Sequence, residues 1–153
     1  RAQLAGASEP APALAGTGAP IEHQFRMTFN RLQRLNPTGE QRRMNDLVLW
    51  LTFHPNYRVT GEFRNTNGSY EGRVEGPWSA GQAQGTFVGL GQHGSWTLTF
   101  RQVQTPDGPR VEGVGLWCGV EGANVINVGA IWAPSTSPAP AVQSAQALAL
   151  CPK

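Results

Sequence analysis

Between residues 21 and 132 apolar and polar positions alternate with period two, the spacing of side chains on half-buried strands. Ile21, His23, Phe25, Met27 and Phe29 share one face, against Glu22, Gln24, Arg26, Thr28 and Asn30. Leu47, Leu49, Leu51 and Phe53 continue the pattern, followed by Tyr57, Val59, Gly61 and Phe63. After Asn65-Thr66-Asn67-Gly68 come Tyr70, Gly72, Val74, Gly76 and Trp78, then Gly85, Phe87 and Gly89, then Trp96, Leu98 and Phe100. Val111, Gly113, Gly115 and Trp117 precede a last run of Val125, Asn127, Gly129 and Ile131. Turn signals separate these runs at Ala80-Gly81, Gly91-Gln92-His93-Gly94, Pro106-Asp107-Gly108-Pro109 and Glu121-Gly122. The pattern predicts an all-β fold: an antiparallel up-and-down barrel of about eight strands, with a two-sheet sandwich as the alternative.

Glycine favours the barrel. Nine glycines (61, 72, 76, 85, 89, 113, 115, 119 and 129) fall in the register of the aromatic residues, on the expected inner face. Glycine inside a strand costs stability, so its repeated use points to sharply coiled strands or to room for large rings.

The flanks lack this alternation. Residues 1–20 read as an extended Ala/Pro/Gly arm, and 21–132 as the barrel domain. Residues 133–153 form a Pro-rich segment in which 141–150 are expected to make a short helix, with Val142, Ala145 and Leu148 on one face. The barrel's outer face carries Arg58, Glu62, Arg64, Glu71, Arg73 and Glu75, a belt that cannot face lipid. The last two strands differ, with Val114, Leu116, Cys118 and Val120, then Ile126, Val128, Ala130 and Trp132 facing outward. Such a surface calls for a cover. The tail ending at Cys151 is the natural one, and Val114, Leu116, Val120, Ile126, Val128 and Trp132 are partner-binding candidates wherever it leaves them open. Val48 and Trp50 make a second, smaller outward apolar spot.

The two cysteines, Cys118 and Cys151, have no CxxC spacing and no nearby His, so they make a poor metal site. Cys151 is placed to staple the tail to the barrel through a disulfide, which implies an oxidising, extracytoplasmic location; two free thiols are the alternative. Among 153 residues only 14% are charged and the net charge is +2, which gives no nucleic-acid signature. No apolar run is long enough for a transmembrane helix. Arg outnumbers Lys by eleven to one, as in a high-GC bacterial genome.

Catalytic chemistry finds no constellation. His23, His54 and His93 are scattered without HxH or HExxH spacing, and there is no Gly-x-Ser-x-Gly elbow or phosphate loop. No cofactor and no metal are expected. Tyr57, Phe63, Tyr70, Trp78, Phe87, Trp96, Phe100 and Trp117 are candidates to line a ligand cavity, since an eight-stranded barrel is either just filled or holds one small ligand. Arg31, Arg34, Arg42 and Arg43 lie in the loop from 31 to 43 and are candidates for contact with an anionic envelope surface.

Val59-Thr60-Gly61-Glu62-Phe63, Tyr70-Glu71-Gly72-Arg73-Val74, Gly85-Thr86-Phe87-Val88-Gly89 and Trp96-Thr97-Leu98-Thr99-Phe100 give residues 25–132 a pattern that resembles the calycin-like barrels of secreted bacterial proteins and lipoproteins. The Gly-x-Trp signature near the first strand of lipocalins is absent. The expectation is a non-catalytic structural or accessory subunit of a bacterial envelope assembly (periplasmic, outer-envelope or secreted). It would bind other protein subunits through its arms and apolar outer surface. A small-ligand-binding calycin-like barrel is the alternative.

Overall fold

The computed structural model describes residues 21–27, 30–32, 41–43, 46–134, 136, 138, 140 and 144–152. The arm expected over 1–20 lies outside the described residues. Among the described residues ten strands form one sheet: β1 (Ile21–Met27), β2 (Asn30–Leu32), β3 (Gln41–Arg43), β4 (Leu47–Phe53), β5 (Arg58–Asn65), β6 (Tyr70–Ser79), β7 (Gln82–Gly89), β8 (Gln92–Thr105), β9 (Gly108–Glu121) and β10 (Asn124–Ala133). One short helix follows, α1 (Ser144–Leu148).

Eight of the strands close on themselves. From β4 through β10 each pairs antiparallel with the next, and β1 joins both β4 and β10, through Arg26↔Trp132 and Met27↔Ile131. The eight-stranded antiparallel barrel expected from the periodicity is therefore the fold, and the sandwich alternative is excluded. β2 and β3 form a small ribbon that continues along β10, with Asn127↔Arg31 and Val128↔Asn30. The ends of the segment read as a loop from 31 to 43 are thus strands. β8 and β9 are each 14 residues long, so their hairpin overhangs the barrel at Thr105↔Gly108.

Tight turns make the meander. Leu90 and Gly91 both have positive φ, the backbone of a two-residue hairpin whose twist matches the strands it joins. That places the β7–β8 turn at Leu90-Gly91 and puts Gln92 and Gly94 inside β8. Close backbone approach accounts for two of the inner glycines. A Cβ on Gly76 would run into the Gln84 carbonyl, and one on Gly85 into the Glu75 carbonyl. No ladder pair forms there between β6 and β7, because Pro77 offers no N–H.

The interior holds two groups of rings. Toward one end Phe53, Trp78 and Phe100 lie in mutual contact, with centroids 4.9 to 6.4 Å apart. Toward the other, Phe87 meets Phe63 at 6.0 Å and Trp117 at 5.8 Å, both edge to face. Leu49, Leu51, Val59, Leu98, Ile131 and Trp96 complete the core between them. The buried indoles keep hydrogen bonds: Trp96 Nε1 donates to the Thr86 carbonyl at 3.1 Å and Trp78 Nε1 to the His54 carbonyl at 3.0 Å.

A second, smaller core lies outside the barrel wall. Cys118, Val120, Val125 and Val128 are buried beneath Ala147, with Leu150 and Cys151 packed against them. Cys118 and Cys151 form a disulfide with Cα atoms 5.1 Å apart. The tail therefore covers the last strands as their outward apolar residues require. Of the 141–150 expected as helix, 144–148 are helical and 149–150 form a turn, while 141–143 lie outside the described residues; the buried face also differs. Ala145 and Leu148 are exposed and Ala147 is buried, while Val142 lies outside the described residues. Beyond the helix the chain tightens into turns, with Leu150 N–H donating to the Ala147 carbonyl and Cys151 N–H to the Leu148 carbonyl, and Ala147, Leu150 and Cys151 pack together against the barrel.

Candidate functional site

The outer surface of β1, β4, β5 and β6 carries a groove of about 670 Å³. Its floor is a regular grid. Trp50 stands opposite Glu62, and Glu62 opposite Arg73; one pair along, Val48 stands opposite Arg64 and Arg64 opposite Tyr70. Glu22, Thr52 and Thr60 line its other side.

Tyr70 joins this grid because of a bulge. The β5–β6 hairpin turns through the three residues Thr66, Asn67 and Gly68, with Gly68 in the left-handed region and Asn65 and Ser69 hydrogen-bonded across the neck. Counted from this loop, Tyr70 falls opposite Arg64 on the outer face. Further along, Phe63 pairs with Gly72, which belongs to the inner face. Glu71 is the extra residue between the two registers, a β-bulge that re-aims its neighbour.

Tyr70 is consequently 54% exposed, and its assignment to an interior cavity is corrected. Tyr57 is corrected too. The hairpin from His54 to Arg58 has the same three-residue form, and Tyr57 occupies its left-handed position with φ 64°. Its ring is 51% exposed and lies over Trp78 with centroids 5.0 Å apart. Alternation had extended one residue too far into a turn. The other cavity candidates, Phe63, Trp78, Phe87, Trp96, Phe100 and Trp117, are buried inside the barrel.

The partner-binding candidates divide. Val120 and Val128 lie under the tail and Trp132 is 4% exposed, so these three offer no open surface, and that expectation is corrected. Val48, Leu116 and Ile126 are half-buried, while Trp50 and Val114 are exposed. Val125 was expected on the inner face; a register shift between Val125 and Asn127 sends it out to Val120 and places Asn127 inside. Among the anionic-surface candidates, Arg31 pairs with Arg42 and Asn30 with Arg43 across the β2–β3 ribbon. Arg34 lies outside the described residues.

Within the groove Arg64 is tied down. Its Nε donates to Glu62 Oε1 at 2.7 Å and its Nη1 to the Gly68 carbonyl at 2.7 Å. Among the described residues, the side chains of Glu22, Trp50, Thr52, Tyr70 and Arg73 make no hydrogen bond or ion pair. In the sequence Glu62, Arg64 and Arg73 read only as part of a belt that cannot face lipid, and the groove they line with Trp50 and Tyr70 was missed. Its one legible signal is a conflict of phase: the Thr66-Asn67-Gly68 loop places Tyr70 outside, whereas the Gly72-Val74-Gly76-Trp78 alternation places it inside.

The histidines do different things. His54 Nε2 lies 2.8 Å from Thr60 Oγ1, and His93 is exposed on β8. His23, set edge-on to Phe53 at 6.0 Å, is held neutral by burial and then by the Arg110 guanidinium, which push its pKa down to about 4. Among the described residues no three His, Cys, Asp or Glu side chains gather as a metal site.

Among the described residues no helix is long and apolar enough to cross a membrane. The disulfide marks a chain that matures outside a reducing cytosol. The chain matches no family model, and comparison with curated proteins and with solved structures returns no similar chain.

Proposed function

We propose that this chain is a non-catalytic accessory subunit of a bacterial cell-envelope assembly, working through its outer surface. The carrying observation is the division of its aromatic residues. Inside, Phe53, Phe63, Trp78, Phe87, Phe100 and Trp117 pack on one another. Outside, Trp50, Tyr57 and Tyr70 are open to solvent, and so is Val114 at the edge of the tail-covered surface. A barrel whose rings touch each other is a rigid body that presents side chains. The disulfide suits an oxidising compartment, and the covered strands leave the Val114 sector for a protein partner.

The test is co-purification of the full chain from envelope fractions, beside a Val114→Arg variant. The expected result is a defined protein complex that the variant loses while its melting temperature is kept. A chain that sediments alone, and that takes up a hydrophobic probe in a one-to-one ratio with quenching of its buried tryptophans, would instead support the small-ligand barrel.

A further inference from the structure

We propose that the groove between Trp50 and Tyr70 binds a neutral oligosaccharide. This goes beyond the accessory-subunit reading, with which it shares the exposed rings of Trp50 and Tyr70 but not the Val114 sector.

The groove leaves its two exposed rings and most of its polar groups unused. Trp50 and Tyr70 are 41% and 54% exposed, on strands separated by one other and one pair out of line, so their backbones stand roughly 12 Å apart. Two large rings held open at that distance offer two apolar platforms with polar edges, Nε1–H on one and a hydroxyl on the other. Between them, acceptor-only and donor-only groups alternate: Glu62 faces Arg73 across the strands, and Glu62 is bound to Arg64 on its own strand. Arg73 keeps its full set of donors, and Glu62 keeps Oε2 open beside the Oε1 that Arg64 engages.

The charges decide the ligand. Glu22 and Glu62 offset Arg64 and Arg73, so the groove has no net charge. A nucleic-acid or other polyanionic ligand would find as many carboxylates as guanidiniums. An extended peptide could not add as a strand, because β4, β5 and β6 are each paired on both sides. Sugar hydroxyls donate and accept at once, and so satisfy carboxylates and guanidiniums set side by side. The apolar C–H faces of a sugar ring suit the two aromatic platforms. The Glu71 bulge supports the same reading: it spends a strand residue to place Tyr70 beside Arg64 on the outer wall.

The test uses the full chain and a panel of neutral hexasaccharides: α- and β-linked glucose, mannose, xylose and N-acetylglucosamine. Binding is read by calorimetry and by Trp50 fluorescence. At least one oligosaccharide is expected to bind, with affinity falling at least about tenfold in Trp50→Ala, in Tyr70→Ala and in Arg73→Ala. Val114→Ala should leave it unchanged. Binding should change less than about twofold between about 50 mM and about 500 mM salt, whereas charge-driven binding would fall steeply. The substituted side chains are exposed, and an unchanged melting temperature confirms that each variant is folded. The proposal is overturned if no member of the panel binds at millimolar concentration, or if binding survives Trp50→Ala. It is equally overturned if heparin binds this groove with a steep salt dependence, or if a photo-crosslinker at position 50 captures a protein in a Tyr70-dependent manner. Loss of sugar binding with an intact Val114-dependent complex would refute this inference alone, and the converse would refute the accessory-subunit reading alone.

Discussion

Removing the Cys118–Cys151 disulfide tests how the tail is held. The crosslink spans a sequence separation of 33 residues. In the chain-entropy model a loop of that length restrains the unfolded chain by about 4 kcal/mol. The native state sets how much of that is felt. α1 has five residues, too few to persist alone, and its cover consists of Ala147, Leu150 and Cys151. Without the covalent tie the tail should leave the barrel, regaining entropy in the native state and exposing Val120, Val125 and Val128. The Cys118→Ala/Cys151→Ala variant is therefore expected to lose about 2–4 kcal/mol in urea unfolding, or roughly 8–16 °C in melting temperature. It should also bind a hydrophobic dye, and protease should remove the tail before the barrel unfolds. Reduced wild-type protein separates loss of the crosslink from the small cavity that alanine leaves at position 118. A loss under about 1 kcal/mol, with no dye binding and no early cleavage, would refute the reasoning on both counts.

Three further predictions follow from the interior. His23 has a folded pKa of about 4 against 6.5 in the unfolded chain, so the unfolded chain binds its proton first. Stability is full above about pH 6.5, falls as the pH drops toward 4 and levels off below, by an amount of order 2 kcal/mol after allowance for solvent screening; His23→Gln should flatten this slope in urea titrations. Gly85→Val drives a side chain onto the Glu75 carbonyl and should cost at least about 3 kcal/mol or prevent folding, read by circular dichroism; a stable variant would disprove the close approach. Trp96→Ala empties the centre of the core and abandons the Thr86 carbonyl, so thermal unfolding should show a loss of about 3–5 kcal/mol, with Trp96→Phe much milder.

Where sequence reading failed, it failed at changes of phase. Leu47 to Phe53 and Trp96 to Phe100 alternate in the chain and alternate in burial, because the two-residue period is a local property of extended backbone. Tyr57 and Tyr70 keep the same spacing in the text of the chain, yet one closes a turn and the other stands before a bulge. Val125 changes face at another bulge. A single inserted residue inverts every side chain beyond it, and strand pairing, not local preference, decides where that residue is absorbed.

Read alone, then, the chain determined that strands would form, that eight of them would carry the body, and that the last two needed a cover on their outer side. These follow from spacing, turn residues and apolar content, all local quantities. The tertiary structure decided closure through the two-pair contact of β1 with β10, the packing of Ala147 and not Ala145 or Leu148 against the barrel, and the outward aim of Tyr70 that completes the groove with Trp50. Each of these depends on partners far apart in sequence, whose meeting no local spacing encodes.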